Sequence, residues 1–164
     1  MKIAILSDTH NNTANLQKAL DYLNRENIST VFHCGDLTDP DTARLFVNFR
    51  VIYCYGNGDE ASGQIQALLL AQHPFAYAGL VFTGEVGGVS IAATHGHLPG
   101  KVDELVRSGK YRYVFRGHSH LHQDDAIGPT RLINPGALGG LKREPRQFCL
   151  LDLVTGKANF IPIE

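Results

Sequence analysis

The sequence predicts an α/β fold in which two β-sheets pack face to face with helices outside. Three observations carry this expectation. The first third alternates short apolar strands with helical periodicity, the second half turns to hairpins, and the length of 164 residues suits one compact domain, 1–164, with a sizeable core. Hydrophobic residues make up 43% and charged residues 19%, which is the balance of a folded globule and far from that of a disordered chain.

Lys2 to Leu6 reads as a short apolar strand. Leu16, Ala19, Leu20 and Leu23 then recur at helical spacing, and Thr30 to Cys34 resumes a strand, which completes a βαβ unit. Ala43 to Phe46 forms a short helical stretch behind Asp39, Pro40 and Asp41, residues suited to a first turn, and Val51 to Tyr55 is the next strand. These three strands are expected to be buried and parallel. Ala61 to Ala71 is expected to be a helix ending before Pro74, with a strand as the alternative because Leu68, Leu69 and Leu70 are consecutive. Leu80 to Val86 and Val89 to Thr94 flank Gly87 and Gly88, a pair suited to a two-residue hairpin turn. Leu98, Val102, Leu105 and Val106 give a helix with Pro99 near its start, and Tyr111 to Phe115 follows as a strand. Gln123 to Ile127, Thr130 to Ile133, Gln147 to Val154 and Lys157 to Ile163 are strands joined by turns that include Gly128, Pro129, Thr155 and Gly156.

Fifteen Lys plus Arg against sixteen Asp plus Glu leave a net charge of -1, without the basic excess of a nucleic-acid binder. No apolar run approaches a membrane span, and the opening Met1 to His10 carries too short an apolar run for a signal peptide. The expected location is cytoplasmic. Cys34, Cys54 and Cys149 lack CxxC spacing and are expected to be small buried residues and not a zinc site or a disulfide framework.

Chemistry gathers just past the ends of predicted strands, where open α/β sheets place ligands. One strand ends in Asp8, Thr9 and His10; the next in Gly35 and Asp36; the third in Gly56 and Asn57. The 89–94 strand leads to His95, and the 111–115 strand to Gly117, His118, Ser119 and His120. If the backbone stays extended, Asp8 and His10 share one side, as do His118 and His120, and each pair can grip one object. Gly35, Gly56 and Gly117 allow sharp turns just before ligand-type residues. Taken singly, Asp8 is a cap or turn former, Asn57 a turn residue, and His95 or His118 a loop histidine. Seven O and N donors at successive strand ends point together to a metal site, one without thiolate ligands and suited to Mn, Fe, Co, Ni or Zn.

This ordered set, DxH at 8–10, GD at 35–36, GN at 56–57, His95 before GH at 96–97, and GHSH at 117–120, resembles the calcineurin-like metallophosphoesterases. The likeness runs from Lys2 to about Pro135. NPG at 134–136 with Pro145 and Arg146 is similar to the small single-domain phosphodiesterase branch. The resemblance implies a four-layer αββα sandwich of two mixed sheets, and two divalent cations, manganese above all, about 3.5–4 Å apart. It implies that Asp8, His10, Asp36 and His120 hold one ion, that Asp36, Asn57, His95 and His118 hold the other, and that a metal-bridging hydroxide attacks phosphorus. Two divalent cations, two carboxylates and one hydroxide leave a charge of about +1, which suits a phosphodiester better than a monoester; a phosphomonoesterase is the alternative.

One position departs from the family. Many members have a His directly after the metal-binding Asn, and here that position is Gly58. His97 lies two residues beyond His95 and is the candidate to contact the phosphate or protonate the leaving oxygen; a hydrogen-bonded loop histidine is the bland alternative. Asp59 is expected to be a turn residue or to support a ligand His. His33 is expected to be structural, His122 to make a surface or hairpin contact, and His73 to be a solvated loop residue. The expected substrate is a small phosphate ester, with specificity set by loops at 58–64, 97–101 and 137–145. The apolar stretch Phe75 to Phe82 is the candidate edge for a homodimer. A second class of function is a protein-interaction scaffold on the same fold, resembling a retromer subunit.

Overall fold

A computed structural model describes residues 1–141 and 144–164. Of the 137–145 loop, positions 142 and 143 lie outside the described residues. The chain runs β1 (Lys2–Leu6), α1 (Thr13–Arg25), β2 (Thr30–His33), α2 (Pro40–Ala43), a 3-10 turn (Arg44–Phe46), β3 (Arg50–Cys54), α3 (Ser62–Gln72) and β4 (Tyr77–Gly79). It continues through β5 (Val81–Val86), β6 (Val89–Thr94), α4 (Lys101–Arg107), β7 (Tyr113–Phe115), β8 (Gln123–Ile127), β9 (Thr130–Asn134), β10 (Gln147–Asp152) and β11 (Ala158–Pro162). Two mixed sheets result, in the orders β11-β10-β1-β2-β3-β4 and β5-β6-β7-β9-β8.

Alternation along each strand builds the layers. Ile3 and Ile5 face inward with Phe32, Cys34, Ile52 and Cys54, and meet Ile91, Ala93, Tyr113, Phe115 and Ile133 of the second sheet. Ala4 and Leu6 point the other way, onto Leu16, Leu20 and Leu23 of α1 and Phe46, Ile65 and Leu69 beyond. Ala92, Val114 and Leu132 take Leu105 and Val106 of α4 on the outer face of the second sheet. Both faces of the central strands are therefore apolar, as a sheet covered on both sides requires. β1, β2 and β3 are parallel, as expected. Gly87 and Gly88 close the β5–β6 hairpin with φ of 59° and 75°, the left-handed pair such a turn needs.

Several boundaries differ from the sequence expectations. Residues 62–72 are helical, because Ile65 and Leu69 at i and i+4 are the positions that bury. α4 starts at Lys101, two residues after Pro99, with Gly100 as its cap at φ 69°. β7 begins at Tyr113, not Tyr111. β4 was not expected: Tyr77–Gly79 adds a parallel edge strand through Ile52↔Tyr77 and Cys54↔Gly79. Only Ala78 of that strand is buried, while Phe75 and Leu80 nearby are exposed. All three cysteines are buried free thiols, and burial raises the pKa of Cys54 and Cys149 to about 12. Among the described residues no helix is long and apolar enough to cross a membrane.

Candidate metal centre

The carboxyl ends of β1, β2, β3, β6 and β7 come together where the two sheets meet. Their loops are laced by backbone bonds: Asp8 N donates to Gly35 O at 3.0 Å, His10 N to Asp36 O at 2.8 Å, and Gly117 N to His95 O at 2.9 Å. The turns are not extended. Asp8, His10, Asp36, His118 and His120 have φ of 53°, 43°, 59°, 69° and 64°, all left-handed. This corrects the expectation that His118 and His120 share one side. In left-handed turns their rings separate, His118 toward His95 and His120 toward His10.

The donors form two linked groups. His10 Nε2 and His120 Nε2 lie 3.2 Å apart, with His120 Nε2 3.3 Å from Asp8 Oδ1. His95 Nε2 and His118 Nδ1 also lie 3.2 Å apart. Asp36 Oδ2 sits between the groups, 3.6 Å from His10 Nε2 and 3.5 Å from His95 Nε2. Asp8, His10 and His120, and likewise Asp8, Asp36 and His95, present atoms close enough together to be candidate metal ligands.

Three details fit a cation. Two nitrogens each about 2.1 Å from one ion stand roughly 3.0–3.4 Å apart at ordinary coordination angles, which is the spacing of both imidazole pairs. His95 Nδ1 lies 2.6 Å from Cys34 O, and a carbonyl only accepts, so Nδ1 carries a proton and Nε2 is the nitrogen turned toward Asp36 and His118, able to offer a lone pair to a cation that displaces its proton. Asp8 Oδ2 accepts from Ser7 Oγ at 2.6 Å and from His118 N at 3.0 Å, whereas the buried Oδ1 faces only imidazole nitrogens among the described residues, His120 Nε2 at 3.3 Å and His10 Nε2 at 3.8 Å. A buried carboxylate oxygen ringed by imidazole nitrogens is the setting of a shared positive charge.

Electrostatics keep the acids ionised. Burial would raise the Asp36 pKa, but bonding to His95, the charge of His95, the Gly58 N–H and His10 outweigh it and hold it at about 2. Asp8 is lowered likewise: burial opposes, while His120, His95 and Ser7 prevail. For His95, burial lowers the pKa but the Asp36 and Asp8 carboxylates raise it further.

The other residues singled out in the sequence take varied positions. Asn57 is exposed in the turn after β3. Gly58, where many relatives carry His, donates its N–H to Asp36 Oδ1 at 2.8 Å. His97 flanks the second group, its ring centroid 5.4 Å from His95 and 6.5 Å from His118, with a buried Nδ1 that has no partner. Burial and the neighbouring His95 lower its pKa. Asp59 is a turn residue, but its supporting role is toward backbone and not toward a His. It accepts from Gly56 N at 2.7 Å, Thr38 N at 2.8 Å and Asp36 N at 3.1 Å, and from Tyr53 Oη. His33 is structural, bonded to Thr9 Oγ1 at 2.8 Å between two ligand-type residues. His122 packs on Phe160, and His73 accepts from Phe75 N.

Some supports carried no sequence signal. Ser7 ties β1 to Cys34 O, and Asn134 holds the 117–119 turn by donating to Gly117 O and Ser119 Oγ. The glycines act mainly by close approach: a Cβ on Gly117 would overlap Ser7 Oγ, and one on Gly56 would overlap Asp36 Oδ1. Only Gly35 of the three has a left-handed φ, 95°.

Fold and site together define a layered αββα protein with a candidate metal centre where its two sheets abut. Residues 1–156 match the model of the calcineurin-like phosphoesterase superfamily domain. A phosphodiesterase of Methanocaldococcus jannaschii is 32% identical over 142 residues, covering 85% of this chain and 86% of that one. The solved structure of an archaeal phosphodiesterase aligns with a TM-score of 0.94 at 29% identity over 99% of both chains. Vps29 from Entamoeba histolytica aligns with a TM-score of 0.73 at 22% identity over 100% of both, a likeness of fold alone. The chain belongs to the calcineurin-like phosphoesterase superfamily.

Proposed function

We propose that the protein is a divalent-metal-dependent phosphodiesterase of the cytoplasm that hydrolyses small phosphate esters at a two-ion centre. The observation that carries this reading is the place of Asp36 Oδ2 between two imidazole pairs. Asp8, His10, Asp36 and His120 would hold one ion, and Asp36, Asn57, His95 and His118 the other, with manganese as the expected metal. When bound, such a pair supplies a hydroxide near neutral pH and offsets the charge that gathers on the phosphoryl oxygens. The chain's own groups do the rest. Asp36 links the ion sites, the Cys34 carbonyl keeps the His95 lone pair aimed inward, and His97 contacts the phosphate or gives a proton to the departing oxygen. Phosphodiesterase relatives support the diester preference.

A metal-stripped sample reloaded with manganese should cleave bis-p-nitrophenyl phosphate, and Asp36→Ala should lose at least about a hundredfold while keeping its fold. Absence of turnover with every divalent ion would favour the second reading, a protein-binding scaffold, which the likeness of fold to Vps29 brings forward.

A further inference from the structure

A cleft of about 330 Å³ opens at the end of the sandwich opposite the proposed centre. Its walls are the starts of β7 and β9 and the turn between β10 and β11, while the other end of β7 leads into His118 and His120. Tyr113 Oη lies 3.3 Å, and guanidinium nitrogens of Arg112 and Arg131 each 4.0 Å, from the point where a Cβ on Gly156 would stand. A phenol and two guanidinium groups thus converge on one spot. Arg131 is tied down there: Nε and Nη2 donate to Asp124 at 2.6 and 2.7 Å, and Nη1 donates to Gly156 O across the seam between the sheets. Asp124 offsets its charge, whereas Arg112 has no carboxylate partner among the described residues and lies over the Tyr113 ring, 5.7 Å from its centre. Tyr113 is 2% exposed, its Oη accepts from Arg112 Nε at 3.5 Å, and its own hydrogen meets no acceptor among the described residues. A buried hydroxyl hydrogen is costly to leave unused. Lys2 and Lys157, with Asp152, line a neighbouring cleft that shares Thr155. Cations therefore outnumber carboxylates around the two clefts, in a chain whose net charge is -1.

We infer that this cleft binds the phosphate group of a small molecule, at a site separate from the proposed centre and independent of its chemistry. Tyr113 Oη and the Arg112 guanidinium hold the phosphate oxygens, together with the N–H groups of Arg131 that Asp124 and Gly156 leave unused. Donors that approach from several directions suit a tetrahedral dianion better than a flat carboxylate, and arginine is the cation fitted to phosphate oxygens. The volume leaves room for an organic body beside the phosphate, against Ala126 and Pro129.

Calorimetry on the full chain in chelator tests the inference, with inorganic phosphate, glycerol 3-phosphate and acetate as probes. Inorganic phosphate should bind saturably with a Kd of about 1 mM; Arg112→Gln should weaken it about tenfold, and Tyr113→Phe about threefold or more. Arg44→Gln, which removes an exposed charge elsewhere, should leave it unchanged. Tighter binding of glycerol 3-phosphate identifies a phosphate ester as the ligand, and equal binding identifies the free ion. Acetate bound as tightly as phosphate, phosphate that does not saturate, or equal losses in Arg44→Gln and Arg112→Gln overturns the inference. Binding undiminished in Arg112→Gln overturns it too, by moving the ion elsewhere. If Tyr113→Phe folds poorly, phosphate-induced amide shifts in the unaltered protein take its place. Shifts at Arg112, Thr155 and Gly156 uphold the inference, and shifts confined to 8–10 and 118–120 defeat it. Each of these outcomes leaves the phosphodiesterase reading where Asp36→Ala puts it.

Discussion

His97 stands where two rings of the second donor group meet, and burial with the charge of His95 lowers its pKa. If it protonates the leaving oxygen, His97→Ala should slow esters with poor, alkoxide-type leaving groups far more than nitrophenyl esters, by about 10²-fold against less than tenfold. Equal losses would leave it only a binding role. His33 gives a prediction about stability. Burial pushes its pKa from 6.5 to about 4. Between these values the unfolded chain takes up a proton that the native chain excludes, so stability falls as pH drops from 6.5 toward 4, by about 3 kcal/mol in all. Denaturant titrations of the metal-free protein at pH 7 and pH 4.5 should show a larger difference than those of His33→Gln. At this scale the sequence was legible for Asp8, His10, Asp36, His95 and His120, donor types that follow strands and come within reach of one another. It was not legible for Asp59, because an acid that collects the N–H groups of Asp36, Thr38 and Gly56 looks in sequence like any turn residue.

The ligand-bearing elements are turns with left-handed residues, and glycine sits beside them for reasons of space. Gly117→Ala and Gly56→Ala should each destabilise by about 2–4 kcal/mol or displace the neighbouring carboxylate, because the added methyl overlaps Ser7 Oγ in one case and Asp36 Oδ1 in the other. Gly63, in the first turn of α3 with nothing within 4 Å of an added Cβ, is the control: Gly63→Ala should gain about 0.5–1 kcal/mol. Thermal melts of the three variants check both signs. Sequence periodicity found α1 by its single buried stripe of Leu16, Ala19, Leu20 and Leu23, and β1, β2 and β3 by apolar runs buried on both faces. It missed β4, whose three residues bury only Ala78, and it misjudged the 118–120 turn, because the reading of i and i+2 assumes an extended backbone; Asp8 and His10 do come together, although through left-handed residues. A cavity beside His10 was invisible, since its described walls come from three separate stretches of chain, at 10–14, at 120 and at 140–141.

For the whole molecule, the agreement over 99% of an archaeal phosphodiesterase chain places every layer of the sandwich, although only 29% of residues are identical. Core volume and strand-end chemistry specify such a fold, and loops are left to vary. Asp8, His10, Asp36 and Asn57 belong to loops of the six-stranded sheet, while His95, His118 and His120 belong to the other. Manganese at a hundredfold excess over its dissociation constant should therefore raise stability by about 2.7 kcal/mol, read as a higher Tm that a chelator reverses. The same arrangement makes any bound ions rivets across a seam. Stripping them should quicken amide exchange at the mouth of the sandwich first, with the far ends of the strands staying clamped by hydrocarbon.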